Sequence, residues 1–133
     1  MPKKILIVED DRVARELVQR ALSQHGYQIM TAQDGGVALE SFNKNQLDLI
    51  LLDIEMPNVN GYTFITELRR QEAEKGSAKI PVVVLTTSKE EQDKTESFKL
   101  GVAGYMIKPV DYKQFVEVIR TIDLYWTLSE MPE

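Results

Sequence analysis

QLDLILLDIEMP, residues 46–57, holds four aliphatic residues in a row, Leu49 to Leu52, and then a carboxylate, Asp53. A short unbroken apolar run beside a turn is the pattern of a strand buried on both faces. Open parallel sheets hold their ligands at the carboxyl ends of such strands. A single aspartate there has an ordinary use as the cap of the following turn. Its meaning therefore depends on what other strands bring to the same edge.

Working outward, Ile5–Val8 (ILIV) is a second aliphatic run, and it stops at Glu9-Asp10-Asp11. Pro81–Leu85 (PVVVL) is a third, followed by Thr86-Thr87-Ser88. Tyr105–Ile107 is a short strand before Lys108-Pro109, and Tyr27–Ala32 (YQIMTA) reads as one more. Helical patterns fall between them. Ala14, Leu17, Val18, Ala21 and Leu22 share one face of a helix, with Asp11 as N-cap and Gly26 as its stop. After a turn at Gln33–Gly36, Val37–Asn43 forms a short helix burying Ala38, Leu39 and Phe42. Tyr62 to about Glu74 is apolar at Phe64, Ile65 and Leu68, polar beyond, and broken at Lys75-Gly76-Ser77. Ser88 and Glu91 make a capping box for a helix to about Leu100, whose only large apolar residues are Phe98 and Leu100. Gly101–Gly104 reads as a turn. Asp111 and Gln114 open a last helix over about residues 111–128.

Strand and helix thus alternate five times. That order predicts an α/β fold: a doubly wound, five-stranded parallel sheet, strand order 2-1-3-4-5, with helices on both faces.

The 133 residues suit one domain with a real core, expected to occupy residues 1–133. A net charge of −5 argues against a general nucleic-acid or anionic-membrane binder, since those need a basic surface. With no cysteine, disulfides, thiol catalysis and cysteine-ligated zinc are excluded. The one histidine, His25, makes a Ser-His-Asp triad improbable; at a helix end it reads as structural or surface-exposed. The apolar run after Lys3-Lys4 is too short for a signal peptide or a membrane span. The expected location is the cytoplasm.

In a parallel sheet all carboxyl ends lie on one edge. Strand 1 brings Glu9 and Asp10 there, strand 3 Asp53, strand 4 Thr86 and Thr87, and strand 5 Lys108. Neighbouring strands are about 4.8 Å apart, so these groups can share one pocket. Two carboxylates about 4.5 Å apart repel by roughly 3–4 kcal/mol at an effective dielectric of 20. Three together need a cation, or else protonation. Lys108 offsets one charge and a divalent ion the other two. All-oxygen ligands select a hard ion, and Mg²⁺ commonly sits on one or two carboxylates plus a phosphate. A Mg²⁺ site beside a lysine and a hydroxyl is equipment for handling a phosphoryl group.

The motifs ILIVEDD, LILLDIEMPNVNG, VVVLTTS and YMIKP occur in that order. Through them the chain resembles the receiver domain of two-component response regulators, over nearly its whole length. It is most similar to stand-alone receivers of the chemotaxis or phytochrome-associated kind, with no output domain expected. The resemblance implies a flavodoxin-like (βα)5 receiver fold. It implies that Asp53 accepts a phosphoryl group from a phosphohistidine on a sensor histidine kinase or phosphotransfer protein. Glu9, Asp10, Asp53 and the backbone carbonyl of Glu55 would hold Mg²⁺, or Mn²⁺ in its place. Lys108 would pair with the phosphoryl oxygens. Thr86 would turn its hydroxyl toward them, with Tyr105 following as the second switch residue. Thr86 is preferred to its neighbour Thr87 because it follows Leu85 directly. The Lys108-Pro109 bond is usually cis in this family. The output would be a switch of the strand 4–helix 4–strand 5 face that controls partner binding or phosphorelay.

Val118, Tyr125, Trp126 and Leu128 leave apolar surface on the last helix beyond the stripe that covers the sheet. That surface serves homodimerisation or partner docking through this helix and strand 5, or else Trp126 folds back on its own domain. Two other functions compete. A Mg²⁺-dependent phosphatase with an aspartate nucleophile would use a second acid two residues on, where Glu55 stands, but would also want a capping domain. A flavin binder would want hydroxyls and amides, not acids, after strand 1.

Overall fold

The computed structural model describes residues 3–53, 61–77, 79–86, 102–107, 117 and 120. They form β1 (Lys4–Val8), α1 (Arg12–Ser23), β2 (Gln28–Ala32), α2 (Gly35–Lys44), β3 (Leu49–Asp53), α3 (Gly61–Lys75), β4 (Val82–Thr86) and β5 (Val102–Ile107). The five strands are parallel, in the order β2-β1-β3-β4-β5. The helix expected before β5 and most of the last helix, with Trp126, lie outside the described residues. Of the last helix, Glu117 and Arg120 are helical and exposed.

Why these aliphatic runs become central strands follows from where their side chains go. Successive residues of a strand point to opposite faces. Leu6, Val8, Ile50, Leu52, Val82 and Val84 enter one core with Ala38 and Phe42 of α2 and Phe64, Ile65 and Leu68 of α3. Ile5, Ile7, Leu49, Leu51, Val83 and Leu85 enter the other with Val18 and Leu22 of α1. All of these strand residues are at most 3% exposed, so neither face could tolerate alternate polar residues. Burying each such side chain is worth roughly 1.5–3 kcal/mol.

The ends of the elements are set locally. Asp11 caps α1 by accepting from Val13 N–H and Ala14 N–H. Gly76, at φ 67°, ends α3 in the left-handed region. Its N–H bonds Ala73 O and the Ser77 N–H reaches back to Glu72 O. At the amino edge of the sheet, Lys4 N–H donates to Asp48 Oδ2 at 2.7 Å, and Asp48 N–H donates to Lys4 O at 2.8 Å.

Four expectations need correction. Gly35 and Gly36 are the first turn of α2, not a preceding turn, because Asp34 Oδ1 accepts from Val37 N–H at 2.9 Å and so caps the helix earlier. β5 starts at Val102 rather than Tyr105; pairing with β4 draws in the Val102–Gly104 segment, with an irregularity where Val82 pairs Val102 and Val83 pairs Gly104. Leu17 is 41% exposed although its spacing puts it on the apolar stripe. It lies 100° around the helix from Val18, at the margin of that stripe. Glu72, in the polar part of α3, is buried at 1% exposure. It follows Leu68 by four residues and therefore shares its inward face. Among the described residues, no helix is long and apolar enough to cross a membrane.

Candidate functional site

The site lies at the carboxyl edge of the sheet, where β1 and β3 end side by side. Val8 pairs with Leu52, so Glu9 and Asp53, one residue further along each strand, are level with one another. Both follow the alternation onto the α1 side of the sheet. Both are buried, at 3% and 2% exposure, while Asp10 is exposed. One carboxylate oxygen from each of Glu9, Asp10 and Asp53 lies within 4.8 Å of the others. At that separation each pair repels by roughly 3.5 kcal/mol at an effective dielectric of 20. Such a cluster requires compensating positive charge. Its donors are oxygens alone, in a chain without cysteine, which fits Mg²⁺ or a similar hard ion and not a soft one.

The backbone around Glu9 is held on several sides. Its N–H extends the β1–β2 ladder by one bond, to Ala32 O at 3.0 Å. Its Oε1 accepts from Asp11 N–H at 3.3 Å. Its carbonyl accepts from Arg15 Nη1 at 2.9 Å. Asp11 is thus a helix cap whose amide serves Glu9; its own carboxylate is not in the cluster.

The remaining sequence-named residues fall as follows. Thr86 is the last residue of β4 and pairs with Ile107, while Asp53 pairs with Leu85. Tyr105 lies in β5 opposite Val84. Glu55, Thr87, Lys108 and Pro109 lie outside the described residues. Arg15 is a contact that the sequence reading missed. One signal was available. A cation in the first turns of a helix is opposed by the helix dipole, and α1 carries no acid in its first turn, so Arg15 needed a partner elsewhere.

A family model described as the response regulator receiver domain matches residues 5–120. The Phosphate regulon transcriptional regulatory protein PhoB of Escherichia coli (strain K12) is 37% identical over 122 residues, covering 92% of this chain and 52% of PhoB. The chain therefore spans about half the length of the curated relatives it matches. Among solved structures, the chemotaxis protein CheY4 of Vibrio cholerae is 30% identical with a TM-score of 0.79, covering 91% of this chain and 98% of CheY4. The response regulator TrrA of Thermotoga maritima, in complex with Mg²⁺-BeF, is 29% identical with a TM-score of 0.75, covering 90% and 97%.

Proposed function

Because the chain belongs to the response regulator receiver domain family, we propose that it is a phosphorylation-controlled signalling receiver in which Asp53 is the phosphoryl acceptor. The observation that carries this reading is the buried Asp53 carboxylate within 4.8 Å of Glu9 and Asp10 at the carboxyl edge of the sheet.

An oxygen of Asp53 attacks the phosphorus of a phosphohistidine on a sensor kinase or phosphotransfer protein. The new O–P bond forms as the P–N bond breaks, and the bonding pair returns to the donor imidazole. Glu9, Asp10, Asp53 and the carbonyl of Glu55 would hold Mg²⁺, a reading supported by the oxygen-only donor set and by the Mg²⁺-BeF complex of TrrA. When bound, the ion supplies neutralisation of the carboxylate and phosphoryl charge. The protein's own part is positioning: the flanking aliphatic residues of β3, all buried, hold the backbone of Asp53 still. Lys108 pairs with the phosphoryl oxygens. Thr86 turns its hydroxyl toward them and Tyr105 follows, shifting the population between two packings of the face formed by β4, the segment after it and β5. The chain catalyses only its own phosphorylation and dephosphorylation, and works in the cytoplasm. We include in the proposal a homodimer, or a docked partner, on the last helix and β5; sedimentation as a monomer at high concentration, phosphorylated or not, would exclude the dimer.

The test is intact mass after incubation with Mg²⁺ and acetyl phosphate. One added phosphoryl group, absent from Asp53→Asn, is the expected result. Multiple turnovers on unrelated phosphate esters would favour the aspartate-nucleophile phosphatase instead.

A further inference from the structure

Glu9 and Asp10 are consecutive, yet both side chains contribute to one cluster. In regular extended backbone they would point to opposite faces. The chain bends at Asp10, and the two side chains are related through the orientation of the peptide that joins them. A peptide is a rigid plane, so its carbonyl cannot be held without fixing the orientation of the Asp10 N–Cα bond as well. Arg15 holds that carbonyl: its Nη1 donates to Glu9 O at 2.9 Å from a half-buried position on α1.

We propose that Arg15 is a positioning residue for the metal site, locking the Glu9–Asp10 peptide so that both carboxylates converge with Asp53. This rests on the receiver reading above and adds a residue to it. Arg15 touches no reacting atom; it acts through the backbone. Two effects of opposite sign make the idea testable. A cation that merely lowered the local negative charge would, once removed, let a divalent ion bind more tightly. A cation that holds the ligands in place would, once removed, make it bind more weakly. Outer partners of metal ligands commonly alter affinity by about 10–100-fold when removed, and one hydrogen bond to a neutral carbonyl belongs at the lower end.

The experiment titrates the full chain with Mg²⁺ in a calorimeter, with urea unfolding in chelator as a separate measure of stability. Wild type, Arg15→Met, Arg15→Lys and Arg12→Met are compared. Arg12 is the control: it carries the same charge at the start of α1 and pairs with Glu16 at 3.1 Å on the exposed side. Arg15→Met should bind Mg²⁺ about tenfold more weakly, Arg15→Lys should recover most of that loss, and Arg12→Met should bind like wild type. Binding by Arg15→Met as tight as wild type, or tighter, overturns the proposal. So does an equal loss in Arg12→Met, or a loss of stability with Mg²⁺ affinity unchanged. Should Arg15→Met fail to fold, Arg15→Gln takes its place with the same outcomes. A wild-type chain that binds no Mg²⁺ at all would instead remove the receiver reading and this inference with it.

Discussion

At the scale of single residues, the site is a stored repulsion. Glu9, Asp10 and Asp53 sit within 4.8 Å of one another, and nothing about a hydrophobic core would select that arrangement. Asp10 is the exposed member, so solvent and salt screen its share of the roughly 3.5 kcal/mol per pair. Asp10→Asn should accordingly raise stability in chelator by about 1 kcal/mol, a reduced fraction of that Coulomb figure. Mg²⁺ should have the opposite balance. A wild-type chain at a hundredfold excess over its dissociation constant gains about 2.7 kcal/mol, and Asp10→Asn should lose most of that gain. Urea unfolding with and without chelator reads both changes; an Asp10→Asn chain with wild-type stability in both buffers would mean the carboxylates do not interact. These three acids were legible in the sequence because Glu9-Asp10 and Asp53 each come straight after an aliphatic run, at the carboxyl end of a strand. Arg15 was not, since its partner is a backbone carbonyl, which has no letter of its own.

At the scale of elements, the entry to β4 depends on an ion pair inside α3. Arg69 Nη1 meets Glu72 Oε1 at 2.8 Å, with side chains 12% and 2% exposed. Glu72 Oε2 also accepts from Ile80 N–H at 2.6 Å, and Arg69 Nη1 donates to Ile80 O at 2.9 Å. The pair therefore grips both polar groups of one residue just before β4 begins, next to the point where Ile50 N–H meets Pro81 O. Glu72→Ala should cost about 3 kcal/mol, because it breaks a largely buried ion pair and removes the acceptor of the Ile80 N–H. Replacing both residues, as Arg69→Met with Glu72→Leu, should cost less; equilibrium unfolding of the three chains decides it. The exposed pairs on the outer face of α3 are a different case. Hydrogen bonds from Arg70, then Gln71, lower the Glu67 carboxyl to about 2, yet solvent-facing pairs of this kind contribute little. Element existence was readable from aliphatic runs and helical periods, whereas some boundaries were not. The glycines at 101 and 104 suggested a turn, but ladder bonds to β4 made Val102–Gly104 strand, a tertiary preference that local composition does not record. The burial of Glu72 was not readable either: a polar letter does not record that it shares the inward face of Leu68.

At the scale of the whole molecule, the sheet separates fixing from chemistry. Its amino edge is tied by the Lys4–Asp48 bonds and the grip on Ile80; its carboxyl edge presents the acids. Between the two edges, β1, β2, β3 and β4 are each five residues long, and paired positions run level from one edge to the other. Equal length has a consequence for how this chain can vary. A residue added within a strand shifts everything beyond it by about 3.3 Å and turns it to the opposite face of the sheet. An alanine inserted between Leu51 and Leu52 should therefore abolish phosphoryl uptake even in molecules that fold, because Asp53 would be carried away from Glu9. The same alanine inserted after Gln24, in the exposed link between α1 and β2, should leave uptake intact, and intact mass after acetyl phosphate distinguishes the two. Substitution and length change are thus governed separately here: many letters of a strand could be exchanged for other aliphatic ones, but the number of letters is part of the site.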